Sequence, residues 1–151
     1  MMDAEIRTLE AQPTMVVRAL TTQEGLGDAF MTHLPAVFGY VTTHGGEVAG
    51  PPIGRYLAYE PGKVDVEIGL PVRAPLGVSG NIVASEIPAG RYAVAVHRGS
   101  YDSLSETYDA LYEWARANGH TTNGAPYESY VDDPEGKDPA EVRTEVLVPL
   151  E

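Results

Sequence analysis

Gly124-Ala125-Pro126-Tyr127-Glu128-Ser129-Tyr130 and Gly50-Pro51-Pro52-Ile53-Gly54-Arg55-Tyr56 are one pattern written twice, Gly-x-Pro followed by a tyrosine, 74 residues apart. The offset holds outward from this stretch. Gly25 aligns with Gly99, Leu34 with Tyr108, Val37 with Leu111, Phe38 with Tyr112 and Tyr40 with Trp114. Past the stretch the offset grows to 78, aligning Glu67 with Glu145 and Pro71 with Pro149. Loops tolerate insertions, so the four added residues are placed in the acidic loop Asp132-Asp133-Pro134-Glu135-Gly136-Lys137. An ordered set of matches with one loop insertion marks an internal duplication, and a duplication governs the fold.

Each copy reads as the same string of elements. Met15–Leu20 and Tyr92–His97 are short β-rich runs after Pro13 and Pro88. A helix follows, from about Tyr101 to Asn118 in the second copy, with Asp102 or Ser103 as N-cap and Gly119 as stop. Leu104, Tyr108, Leu111 and Ala115 give it one apolar face, as Phe30, Leu34, Val37 and Val41 do in the first copy. Pro35 inside that first pattern predicts a kink or a late helix start. Two strands close each copy: Gly54–Tyr59 with Val64–Leu70, and Glu128–Val131 with Val142–Val148. Arg73–Ser85 reads as the linker. The fold expected is α+β, one domain over 1–151 with repeats at about 13–72 and 88–150. The two strand–helix–strand–strand units form mainly antiparallel sheet, carry two helices, and leave a central cleft, a favoured place for a ligand.

Composition narrows the function. The chain has 151 residues, 43% apolar and 21% charged, which suits a globular domain with a real core. A net charge of −12 with no basic stripe repels phosphate backbones, so no direct nucleic-acid contact is expected. An acidic surface suits cationic ligands or basic protein partners. Cysteine is absent, and His33, His44, His97 and His120 form no metal-ligand spacing, so neither a metal nor another cofactor is expected. The acidic start Met1-Met2-Asp3-Ala4-Glu5 lacks signal-peptide character, and no run is long and apolar enough for a membrane span. A cytoplasmic location is expected.

Positions alike in both copies read as structural, and positions that differ in chemistry are candidates for function. The sharpest difference is Gly54 against Glu128. Strand alternation puts Glu128 on the same face as Tyr130. A carboxylate on an apolar sheet face is costly unless paired, and such an environment suits a cation site or a general acid/base. Glu67 and Glu145, shared by both copies, read first as a solvated strand face or a structural hydrogen bond; because Glu145 lies on the strand expected beside that of Glu128, it is also a candidate second carboxylate of the cleft. Tyr56, Tyr92, Tyr112, Trp114, Tyr130 and Phe38 supply aromatic faces for a flat or cationic ligand. Tyr108, on the apolar helix stripe, reads as ordinary core.

Pro88-Ala89-Gly90-Arg91-Tyr92-Ala93, His97-Arg98-Gly99-Ser100-Tyr101, Leu111-Tyr112-Glu113-Trp114, Gly124–Tyr130 and Glu145–Leu150 together resemble the GyrI-like small-molecule-binding family. Gly50-Pro51-Pro52 and Asp65–Val72 look like the family's upstream repeat. The resemblance covers nearly the whole chain and implies a duplicated fold with a central cleft. It implies an acidic residue at Glu128 that contacts cationic ligands. Members of the family include effector-binding parts of transcription activators, proteins that protect DNA gyrase, and hydrolases of cyclopropane-bearing toxins. With the first strand expected near residue 15, no N-terminal helix-turn-helix like that of the regulators is expected. The leading expectation is therefore a stand-alone, non-catalytic binder of hydrophobic, aromatic or cationic small molecules, for sequestration or multidrug sensing. The alternatives are a hydrolase of electrophilic toxins with Glu128 as general acid/base, and an interaction module acting on gyrase or a transcription regulator.

Overall fold

The computed structural model describes residues 3–132 and 137–151. In chain order the elements are β1 (Ala4–Leu9), β2 (Gln12–Thr21), α1 (Leu26–Thr43), β3 (Ile53–Glu60), β4 (Lys63–Pro71), β5 (Ile82–Ile87), β6 (Gly90–Arg98), α2 (Leu104–Ala117), β7 (Tyr127–Ser129) and β8 (Arg143–Pro149). The class is α+β, with antiparallel pairing. The chain divides into two compact units. The first-repeat unit is Glu10–Ala89, and the second-repeat unit joins the segment ending at Leu9 to Gly90–Glu151.

Within each unit the sheet is built by the same rule. The first-repeat unit has strand order β3-β4-β2-β5, and the second-repeat unit has β7-β8-β6-β1. Registers repeat as well. Gly54 pairs with Ile68 and Arg55 with Glu67 in one unit; Glu128 pairs with Val146 and Ser129 with Glu145 in the other. Loop hydrogen bonds follow suit: Ala49 N–H donates to the Pro71 carbonyl, and Asn123 N–H to that of Pro149. The duplication is thus present down to individual backbone bonds.

Three expectations need correction. Thr14 pairs with Pro71 as Tyr92 pairs with Pro149, so the leading strands are offset by 78, like the closing ones. The 74-residue offset belongs to the helix and to β3 and β7, and the first repeat spends four more residues between strand and helix. The compensating insertion falls between β7 and β8; residues 133–136 of that loop lie outside the described residues. Second, the end of the expected linker is a strand: β5 pairs with β2, and an unanticipated β1 pairs with β6. Each repeat's leading hairpin arm therefore pairs with the other repeat's strand. Third, α1 starts at Leu26 and continues through Pro35, so the late start is not made. In the second repeat, a 3-10 turn (Tyr101–Ser103) precedes α2, and Ser100 accepts from Asp102 N–H at its start.

Each helix buries one stripe on its own sheet. Val37 and Val41 of α1 meet Met15, Val17, Leu70, Val72 and Ile82, while Phe30 and Leu34 cover Ala19, Tyr56, Val66 and Ile68. Leu111 and Ala115 of α2 meet Ala93, Ala95, Val146 and Val148. Full burial of each such aliphatic side chain contributes about 1.5–3 kcal/mol. Val146 faces α2, so its neighbour across β7, Glu128, faces α2 too.

Candidate functional site

Glu128 is buried, 4% exposed, on the helix side of the second-repeat sheet. Both its oxygens accept from phenols: the Tyr108 hydroxyl donates to Oε2 at 2.8 Å and the Tyr130 hydroxyl to Oε1 at 2.7 Å. Helix periodicity places Tyr108 over the strand, and strand alternation places Tyr130 beside Glu128. Two phenol donors offset part of the desolvation that burial imposes on a carboxylate. Around this core, Tyr101 packs edge-to-face on Tyr130 at 5.9 Å, and Tyr112 stacks on Tyr108 at 6.4 Å. Tyr101 and Tyr112 are both partly exposed, and burial of its remaining surface raises the Tyr112 phenol above its ordinary pKa. The result is a buried carboxyl group in an aromatic frame. Such a frame attracts a cation by Coulomb and quadrupole terms together.

The duplication isolates what is special here. The first-repeat counterparts of Glu128, Tyr108 and Tyr101 are Gly54, Leu34 and Gly27. Only Tyr130 is matched, by Tyr56, which is buried in the first-repeat core against Val66. Tyr108 was read as core; its leucine counterpart was the signal that its hydroxyl had another purpose. Tyr101, which sequence reasoning missed, carries the same signal, standing opposite Gly27.

Other expected site residues lie elsewhere. Glu145 neighbours Val146, so it points to the sheet face opposite Glu128, where Arg7 Nη1 and Nη2 bond its two oxygens at 3.3 and 3.2 Å. The two-carboxylate arrangement is therefore not made. Glu67 is held likewise in the first repeat, by Arg55 Nη1 at 3.2 Å and Ser85 Oγ at 2.8 Å. Tyr92 is also on the face opposite Glu128, edge-to-face with Tyr127 at 5.7 Å. Trp114 stacks on His120 at 6.3 Å near the end of α2, about two turns from Tyr108. Phe38, on α1, is 53% exposed in the first-repeat unit. Among the described residues, no group of three or more His, Asp or Glu side chains is placed to hold a metal, and no helix is long and apolar enough to cross a membrane.

The carboxylate–phenol pairing predicts coupling. Tyr108→Phe removes one phenol donor from the buried Glu128 carboxylate and should cost about 1–2 kcal/mol of stability. In a Glu128→Gln background the cost should shrink, giving a non-zero coupling term in urea denaturation; strict additivity would refute the pairing.

Just beyond Tyr130, Asp132 fastens the chain to β8. It accepts from Arg143 N–H at 3.0 Å, Nε at 2.8 Å and Nη2 at 3.0 Å, and pairs with Lys137 Nζ at 3.0 Å. The hydrogen bonds from Arg143, then Lys137, hold its carboxyl well below the usual range. A depressed folded-state pKa contributes stability above the unfolded value and loses it as pH falls. Asp132→Asn should therefore lower Tm at pH 7, with the gap to wild type narrowing below about pH 4. A gap that is constant with pH would contradict the assignment.

The duplicated α+β fold is that of a class of small-molecule-binding domains. This chain belongs to the GyrI-like small molecule binding domain family, whose model matches residues 2–151. It is similar to the EcmrR C-terminal domain, with a TM-score of 0.84 and 26% identity over 100% of this chain and 98% of that one. In the cryo-EM structure of the EcmrR–DNA complex the likeness has a TM-score of 0.83 and 27% identity. It covers 99% of this chain but 57% of that one, so the present chain spans little more than half of it. SAV2435 bound to tetraphenylphosphonium has the same fold, with a TM-score of 0.71 and 10% identity over 99% of this chain and 94% of that one.

Proposed function

We propose that this chain binds hydrophobic, aromatic cations at Glu128, with Tyr101, Tyr108, Tyr112 and Tyr130 as its aromatic surround. The observation that carries this reading is a 4%-exposed carboxylate at a position the first repeat fills with glycine. The fold does not need a side chain there, so the charge serves something other than packing. Membership of a small-molecule-binding family supports the reading, and the tetraphenylphosphonium bound by SAV2435 is a ligand of the chemistry proposed. Likeness to the C-terminal domain of EcmrR, which is also seen in complex with DNA, supports an effector-binding role in which DNA is contacted by other parts of an assembly.

The test is a thermal-shift screen of aromatic cations and electrophilic toxins, followed by mass spectrometry of each compound after incubation. Stabilisation by cations with the compound recovered intact is the expected result. A hydrated product would instead assign Glu128 a general acid/base role. Failure of every cation to raise Tm would reject the site.

A further inference from the structure

Three buried side-chain polar atoms among the described residues have no hydrogen-bond partner: Thr14 Oγ1, Arg55 Nε and Thr144 Oγ1. The first two belong to the first-repeat unit. Thr144 is 0% exposed on β8 in the second. It pairs with His97 across β6 and lies two residues from Val146, the partner of Glu128. Tyr130, one residue past the end of β7, is tied to the same side by its hydrogen bond to Glu128. Thr144 thus shares the sheet face of Glu128 and Tyr130.

The neighbour best able to satisfy this hydroxyl is engaged elsewhere. His97 Nδ1 lies 2.7 Å from Thr107 Oγ1, and Nε2 lies 2.8 Å from the Ser100 carbonyl and 3.3 Å from Ser103 Oγ. A buried hydroxyl without a partner costs stability, and the fold has a cheaper solution at this position: the counterpart of Thr144 is Val66. Thr144 therefore repeats the logic of Glu128, a polar group where the first repeat is apolar, on the same face of the same unit. The two sit diagonally across β7 and β8, roughly 7–8 Å apart.

Resting on the proposed function, we infer that Thr144 is a specificity-determining contact of the same site. It hydrogen-bonds ligands that carry a neutral donor or acceptor beside their cationic centre. The site then favours an aromatic cation with such a group, for example an aryl amine, over a purely hydrocarbon one.

The experiment compares Thr144→Val, the residue of the first repeat, with wild type and Glu128→Gln, using ethidium (a cation with two aryl amines) and tetraphenylphosphonium (no donor or acceptor). Thr144→Val should melt at or above the wild-type temperature. It should weaken ethidium by about five- to tenfold and leave tetraphenylphosphonium within about twofold. Glu128→Gln should weaken both. Equal effects of Thr144→Val on the two ligands, a wild type that binds tetraphenylphosphonium but not ethidium, or a clear fall in Tm would overturn the inference while sparing the Glu128 site. A wild type that binds neither, or binding indifferent to Glu128→Gln, would overturn both.

Discussion

Glu128→Gln should weaken tetraphenylphosphonium binding about ten- to a hundred-fold, roughly 1.5–3 kcal/mol. The substitution removes the charge and keeps the shape. Loss of a charge-assisted contact in a buried, aromatic setting is worth this much because no water is at hand to replace it. A neutral aryl compound of similar size should lose far less. Folding should suffer only slightly. The Tyr130 and Tyr108 hydroxyls that now donate at 2.7 and 2.8 Å can rotate, one continuing to donate to the amide oxygen and the other accepting from the amide nitrogen. Calorimetry reads the affinity and urea denaturation the stability. Unchanged affinity for the cation would remove Glu128 from the site.

Gly69→Ala should be among the most damaging single substitutions in the chain. An added Cβ would lie 1.9 Å from the Met15 carbonyl oxygen and 2.8 Å from Val16 Cα, both rigid backbone. Gly69 is in β4 between Val16 of β2 and Ile53 of β3, so relief on one side strains the ladder on the other. Overpacking against backbone in a strand paired on both sides should cost about 3 kcal/mol or more. The second repeat carries Leu147 at the equivalent position, 1% exposed, so the constraint is local to the first-repeat strands rather than inherent in the topology. A loss below about 0.5 kcal/mol in chemical denaturation would show that the strands part easily there.

The duplication made much of this legible in the sequence. Repeated Gly-x-Pro signatures located the second copy of the helix and of the strand that follows it. The Gly54–Glu128 contrast singled out the carboxylate that the structure buries between two tyrosines. Pairing over long chain distances was not legible. β1 and β5 are short edge strands whose partners belong to the other repeat, and no local pattern states such an exchange. The facing of Glu145 was hidden for a related reason. A one-residue change of register flips a side chain to the other face, and only the observed pairing of Glu128 with Val146 fixes it. Its partner Arg7 lies 138 residues away in the chain. Tyr108 was misread because helical spacing reports which face a residue occupies and says nothing of where its hydroxyl ends.

The two repeats share some polar positions and differ at others. The structural carboxylates were kept in both, with an arginine supplied by β3 for Glu67 and by β1 for Glu145. The helix-side polar groups, Glu128, Tyr108, His97 and Thr144, stand against Gly54, Leu34, Ala19 and Val66. The helix-side polar groups are concentrated in the second-repeat unit, and the first keeps an apolar interior.

The most direct measurement is a pair of calorimetric titrations of the wild-type protein, one with tetraphenylphosphonium and one with neutral triphenylphosphine oxide. A buried carboxylate in an aromatic frame predicts saturable binding of the cation at one site per chain, with affinity at least about tenfold above that of the neutral compound. Equal affinity for the two, or no saturable heat with the cation, would contradict it.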